Sequence, residues 1–574
     1  MPESAGATLA GAFTWLDWAV VAGLFALTHF IGQAAAGKPA TIREFFLGGR
    51  KLPWLAVSAS IVSTEISAVS LVAVPAMVFA KGGNLTYLQL GVIGLFLARW
   101  IVALALIPRY FEREIYSPYD YMGAQLGERV RGMTTVLFGV GGVLGQSARL
   151  YVTAVVLEIV LHEEFASFEA ATGVSGLGAS IVVLGAVAVL WTWLGGMTMV
   201  IWTDVVLTLV FLIAIGVAIA VAVDGVSGGA GEVLRLGREA GKLEFLDASL
   251  DFSRPYTLWA AIVANTFVGV GVFGTDQLMT QRVFCCRNVR DAQKAMIVSY
   301  SSMIIAVLCA VIGLALYGYY QQHPLSDAAS ELVAAKQDRI FPIFIVQELP
   351  EGVRGLAIAG LFAAAIGGLD SILAALSQTT LSAFWFPWLR RRGHASPEED
   401  PRALRWSKVL VLVFGVLLCA IAWQCETIQA DPRFRSILDL ALAMPGYTQG
   451  ALLAAFALAF FFRGRIDGDG YLWSAPLSVL AVMVVAWNAS WVPWVLAPAS
   501  AVLLATWLAA RSTRRHTRAS FASRLAILLV GLAGLWALRG ISGTVAWPWF
   551  APIGCATAFV FGYLLASPRT ENAA

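Results

Sequence analysis

Apolar residues in this chain neither alternate nor scatter. They gather into runs of about 20, the length an α-helix needs to cross a hydrocarbon core roughly 30 Å thick. Such runs occupy approximately 13–36, 53–80, 86–107, 132–160, 178–195, 198–224, 255–281, 291–320, 353–386, 404–424, 435–462, 470–488, 491–510, 523–540 and 546–566, which predicts fifteen spans. They are predicted to be helical, because a segment surrounded by lipid has to satisfy its own backbone polar groups. The two closest pairs are separated only by LGGMT near Gly195 and by NASWVP near Trp491, where hydropathy separates one span from two least well.

Composition agrees with the pattern. The chain is 59% hydrophobic and 13% charged, against roughly 45–50% and about 25% for soluble domains, so a polytopic membrane protein is expected. A net charge of +3 over 574 residues gives no case for nucleic-acid binding. The basic residues instead sort into alternate loops: REFFLGGRK, RYFEREIYSPYDYMGAQLGERVR, QRVFCCRNVRDAQK, LRRRGHASPEEDPRALRWSK and ARSTRRHTRASFASR follow the first, third, seventh, ninth and thirteenth runs. Short basic loops stay cytoplasmic, which places the N-terminus outside and the C-terminus inside, in a cell (cytoplasmic) membrane. The start MPESAGATLAGAFTW lacks the basic region and cleavage signal of a secretory peptide, so the first run is expected to be retained. The six cysteines show no CxxC pair and no histidines at ligand spacing, and are read as packing residues. No aqueous segment carries a nucleophile with a base, a metal-ligand cluster or a phosphate loop, so an enzyme is not expected.

The candidate chemistry lies inside the spans, where ionisable groups cost several kcal/mol and therefore face a cavity, a partner or a transport path. Arg99, Arg149, Glu158, Asp204, Asp276 and Asp439 each admit the plain reading of a satisfied ion pair or an end residue reaching the interface. Glu65 and Asp370 stand out, within STEISAVS and AAAIGGLDSILAALS. Serine, threonine and glycine there permit a broken helix, whose freed carbonyls can coordinate a cation. A carboxylate beside such a break either helps bind a cation or carries a proton.

Four stretches carry a resemblance over most of the chain to the sodium:solute symporter family: REFFLGGRKLPWLAVSASIVSTEISA (43–68), WLGGMTMVIWTDVVLTLV (193–210), FGTDQLMTQRVFCCRNVRDAQKA (273–295) and LAIAGLFAAAIGGLDSILAALSQTTLSAF (356–384). The resemblance implies a leucine-transporter-like fold, an all-α bundle with an inverted repeat of five plus five helices. The transport core would be 53–463, with 53–224 and 255–463 as its repeats, 1–52 as an extra N-terminal helix and loop, and 464–574 as about four accessory helices. It also implies sodium as the coupling ion, with a proton as the alternative, and no organic cofactor. The expected activity is symport of a small polar solute inward by alternating access. The alternative outside that class is a transporter-like membrane sensor. The expected partners are the solute and the lipid bilayer, with the chain a monomer or weak homodimer.

The family's general sodium site maps onto the carbonyls of Ser63 and Ile66 and onto Ala364, Gly367 and Gly368. Here the chain departs from the pattern, because the adjacent hydroxyl residues common in the family are replaced by Gly367 and Gly368. Asp370 and Ser371, with Glu65, Ser63, Thr64 and Ser67 from the other helix, are the nearest substitutes for the lost oxygen ligands. Asp204 matches an aspartate linked in some members to a second sodium site. Substrate contacts are expected from Glu65, Ser70, Phe273, Thr275, Tyr447 and Gln449. The sugar pattern is poorly kept, since Glu65 stands where sugar-transporting relatives have asparagine. Arg149 is either the anion partner of a carboxylate substrate or the structural partner of Glu158, Asp204 or Glu65.

Overall fold

Gly196 divides the longest apolar stretch in two. Its backbone lies at φ 61°, ψ −169°, and a Cβ there would stand 2.6 Å from the carbonyl oxygen of Phe45. Only glycine occupies that conformation at low cost, so the chain turns here and a second helix begins. The computed structural model describes residues 14–37, 41–66, 68–112, 115–393, 400–429, 437–487, 489–512 and 518–568.

The helices that build the bundle, in chain order, are α1 (Trp15–Ala36), α2 (Trp54–Glu65), α3 (Ala68–Phe79), α4 (Leu90–Phe111), α5 (Glu128–Val160), α6 (Gly176–Trp193), α7 (Gly196–Asp224), α8 (Gly229–Glu239), α9 (Ala260–Thr275), α10 (Gln277–Phe284), α11 (Val289–Gln322), α12 (Val353–Thr380), α13 (Pro401–Gln429), α14 (Ile437–Phe461), α15 (Asp469–Ala486), α16 (Val492–Ser512), α17 (Arg518–Leu538) and α18 (Phe550–Leu565). Among the described residues thirteen helices are long and apolar enough to cross a membrane; the bent pair α2–α3 makes fourteen, and α9 is a shorter apolar helix. With α9 counted as a crossing, these match the fifteen predicted runs, including the two closest pairs.

Two interruptions position the site. The ladder of α2 stops at Ile66, an extended residue at φ −86°, ψ 120°, and α3 leaves at 54° to α2. α9 widens into π-helical turns at Leu90's neighbour Ala260–Asn265 and at Gly271–Thr275, then stops at Asp276 with nearly the same extended backbone, φ −83°, ψ 127°. A break of this kind frees carbonyl and amide groups in the middle of the bundle. Asp276 satisfies part of the second break itself, its carboxylate accepting from the amide of Leu278 at 2.8 Å.

Enclosure separates core from periphery. The most apolar window of the α12 span is 93% buried, whereas that of α1 is 17% and those of α16 and α17 are 22%. α12 packs along α7 and α5, and α14 lies between α5 and α18. Gly450 permits the last contact, since a Cβ on it would stand 2.6 Å from the Ala551 carbonyl oxygen and the Cys555 amide. Apolar side chains left exposed along the outer helices, such as Leu104, Ile304 and Val416, face where the hydrocarbon would be.

Candidate functional site

Arg282 on α10 is the centre of a buried polar cluster. Its Nε donates to Ser60 Oγ at 2.8 Å, its Nη2 to Asp204 Oδ2 at 3.2 Å and to Ser371 Oγ at 2.5 Å, and its Nη1 to the carbonyl of Leu278 at 2.6 Å. Asp204 on α7 also accepts from Ser60 Oγ at 2.5 Å and from Ser63 Oγ at 3.3 Å. One guanidinium thus ties α2, α7 and α12 to the short helix that follows the second break. Asp370 is buried beside the cluster, where its Oδ1 lies 3.1 Å from the Ser371 hydroxyl, and among the described residues no cationic group bonds to it.

Were both carboxylates ionised, the single guanidinium would leave one negative charge in excess. An uncompensated buried charge costs several kcal/mol, so the cluster favours one further monovalent cation or a proton. Gly367 lets the carboxylate approach α12 closely: a Cβ on it would stand 2.8 Å from Asp204 Oδ1, so the carboxylate takes the room of the missing side chain. The donors are hard oxygens, the class that suits sodium.

Next to this cluster lies a cavity of about 180 Å³, bordered by Glu65, Ile66, Ser70, Arg149, Phe273 and Gln449. Glu65 is ion-paired with Arg99 of α4. The Arg99 guanidinium also donates to Ser299 Oγ and Ser302 Oγ, both at 3.1 Å, and sits 4.1 Å from the ring centre of Phe273. Arg149 enters from α5. Glu65 is taken by Arg99 and Asp204 by Arg282, and among the described residues no oxygen accepts a hydrogen bond from the Arg149 guanidinium. A smaller hollow of about 70 Å³ shares Arg149 and Gln449 with the cavity and adds Gln146, Thr275 and Asp276.

The predicted residues therefore separate into groups. Ser63, Asp204, Gly367, Asp370 and Ser371 converge on the polar cluster, with Gly368 on the same helix facing Gln146. Glu65, Ile66, Ser70, Phe273 and Gln449 border the cavity. Glu65 turns to Arg99, not to the cation region, because Arg99 projects from α4 into the gap beside the break. Thr275 bonds to the carbonyl of Gly271 in its own helix at 3.0 Å and borders only the smaller hollow. Tyr447 borders neither: its hydroxyl accepts from Trp487 Nε1 and its ring packs on Phe550. Two residues along a helix is about 200° of rotation, so Tyr447 and Gln449 face opposite ways. The backbone of Ala364 lies on α12, while its side chain and Ser67 lie outside the described positions.

Sequence reading did not single out Ser60, Gln146 or Arg282. The i, i+3 spacing of Ser60 and Ser63 in SASIVST is a usable signal for one polar face, and Arg282 is the arginine of the TQR stretch. Gln146 has no local signal.

A sequence profile of the sodium:solute symporter family matches residues 45–477, most of the chain. The chain belongs to the sodium:solute symporter family. Among curated proteins it is similar to sodium-coupled monocarboxylate transporter 2 of Bos taurus, 27% identical over 463 residues that cover 78% of this chain and 69% of the relative. The sodium-dependent multivitamin transporter of Oryctolagus cuniculus is 26% identical, with 78% and 67% covered, and the Homo sapiens sodium-coupled monocarboxylate transporter 2 is 25% identical, with 96% and 84% covered. Among solved structures, a Na+-coupled sialic acid symporter in a substrate-bound outward-open state superposes with a TM-score of 0.73 at 21% identity, covering 97% of this chain and 100% of its own. The fold is thus the leucine-transporter-like one that the sequence motifs imply. As a sodium:solute symporter family member, the chain is a multi-pass membrane symporter of the sodium-coupled class and not an enzyme.

Proposed function

We propose that this symporter moves a small carboxylate-bearing solute inward with sodium by alternating access, and that Arg149 anchors the carboxylate. The observation that carries the reading is the Arg149 guanidinium, which borders a largely apolar cavity and, among the described residues, makes no direct ion pair, with Asp276 and Glu65 nearby as charges not bonded to it. A desolvated cation of this kind is costly alone and favourable once a carboxylate forks onto it. The solute's apolar part would rest on Val69, Val272 and Phe273. The chain's relatives, monocarboxylate and multivitamin transporters, lean the same way.

The cation is assigned between the first break at Ser63–Ile66 and α12 at Ala364–Ser371, with Asp204 and Asp370 supplying charge. Its binding there would favour the outward-facing arrangement and raise solute affinity, a linkage that acts equally in both directions. The core is taken as 53–463, and the alternate basic loops orient the N-terminus outside and the C-terminus in the cytoplasm.

The test is a thermal-shift panel on purified protein with monocarboxylates, sugars and amino acids, each with and without sodium, on the wild type and on Arg149→Gln. Carboxylates should stabilise the wild type only with sodium, and Arg149→Gln should lose that response while keeping the response to sodium alone. Equal stabilisation of both proteins by carboxylates would remove Arg149 from the solute site. A response that follows pH and ignores sodium would assign the coupling to protons.

A further inference from the structure

Gly367 and Gly368 bring no side-chain oxygen to the cation region, and an oxygen from another helix comes up against each of them. A Cβ on Gly367 would lie 2.8 Å from Asp204 Oδ1, and one on Gly368 would lie 3.5 Å from Gln146 Oε1. Asp204 comes from α7 and Gln146 from α5. Ser371, one turn after Gly367 on α12, joins Gly367 and Gly368 on one face of that helix.

Gln146 is only 6% exposed, yet its Oε1 has no hydrogen-bond partner among the described residues. A buried polar atom left unsatisfied costs about 1–3 kcal/mol, so its retention points to a partner that the chain does not itself supply. Other unpartnered buried atoms exist, such as Tyr119 Oη and Gln277 Oε1. Gln146 differs in facing α12 at Gly368, next to the position where Gly367 meets Asp204. A neutral amide oxygen beside a carboxylate gains most from a cation between or near them, because both are hard donors.

We propose that Gln146 Oε1 is a sodium ligand that replaces the hydroxyl absent at Gly368, as Asp204 Oδ1 replaces the one absent at Gly367. The inference rests on the sodium-coupled reading above and deepens it by naming a ligand from α5. Arg149 lies three residues further along α5, on the same face, and both side chains border the smaller hollow. Sodium held by Gln146 would therefore fix the helix that presents the solute anchor, giving ion and solute a shared rigid element.

The experiment is a sodium titration of thermal stability without solute, with choline chloride holding ionic strength constant. Gln146→Leu should raise the half-maximal sodium concentration about tenfold, equivalent to about 1.4 kcal/mol, while the sodium-free melting temperature does not fall, since the unsatisfied oxygen is removed. The double variant Gln146→Ala/Gly368→Ser should recover the wild-type half-point, since the shortened side chain leaves room for a hydroxyl on α12. Gln146→Ala alone, the smaller truncation, reports the same loss should the leucine variant fail to fold. A Gln146 variant with the wild-type sodium response overturns this ligand assignment alone. A wild type that does not respond to sodium overturns the sodium reading and the ligand with it.

Discussion

Arg282 and Asp204 meet at 3.2 Å in an interior where neither side chain is more than 1% exposed. Removing one member of such a pair leaves an uncompensated charge and costs about 3–5 kcal/mol, much more than the pair itself contributes. Arg282→Met should therefore lower the melting temperature sharply and abolish uptake. Arg282→Lys, which keeps the charge but cannot bond Ser60, Asp204 and Ser371 together, should recover only part of both. The double variant Arg282→Met/Asp204→Asn should lose less than the sum of the single losses. Strict additivity in thermal unfolding of the four proteins would mean that the two residues do not act as a pair.

The Glu65–Arg99 pair and the Asp370 cluster are expected to fail differently. Glu65→Gln strands Arg99 against Phe273 on the cavity wall, so solute affinity and stability should both fall. Asp370→Asn removes a charge beside the polar cluster and should chiefly raise the sodium concentration needed for uptake. Transport kinetics measured against solute and against sodium separate the two. Identical profiles for both variants would contradict the division of the site into cavity and cation cluster.

Gly196→Ala should cost about 1–3 kcal/mol from backbone strain alone, before the collision with the Phe45 carbonyl oxygen. Gly216→Ala, in the same helix α7 and with nothing within 4 Å of its would-be Cβ, is the matched control. It should be stabilising by somewhat under about 1 kcal/mol through helix propensity. Expression and melting temperature of the two variants should move in opposite directions.

Lys242, in the segment between α8 and α9, supplies a pH dependence. It is 2% exposed, and its Nζ donates to the carbonyls of Val78, Phe79 and Ala80 at 2.7, 3.0 and 2.8 Å, closing the end of α3. Burial lowers its pKa to about 8 from the usual 10.5. Between those values the folded chain has released a proton that the unfolded chain still holds. The unfolded state then binds more protons, and stability rises with pH across that window. The melting temperature of the wild type relative to Lys242→Met should increase from pH 8 towards 10.5. A flat difference would show that the amine is solvated in the native protein.

The sequence alone determined the spans, because hydropathy over about 20 residues is a local quantity. It also marked the break in STEIS and the turn at LGGMT, whereas GGLDS, which permitted a break, stays helical within α12, and the break at Asp276 was not read from the sequence. What it could not decide was how the ionisable groups pair. Glu65 and Arg99 are 34 residues apart and Asp204 and Arg282 are 78 apart, and either carboxylate could equally have met Arg149. Helix rotation settled those matches, as it turned Tyr447 outward and Gln449 inward. Burial then gave them their weight: in a low-dielectric interior each pairing made elsewhere leaves another group without a partner. Arg149, Asp370 and Gln146 are among the groups left over in the described residues, and only the packed bundle reveals that they are.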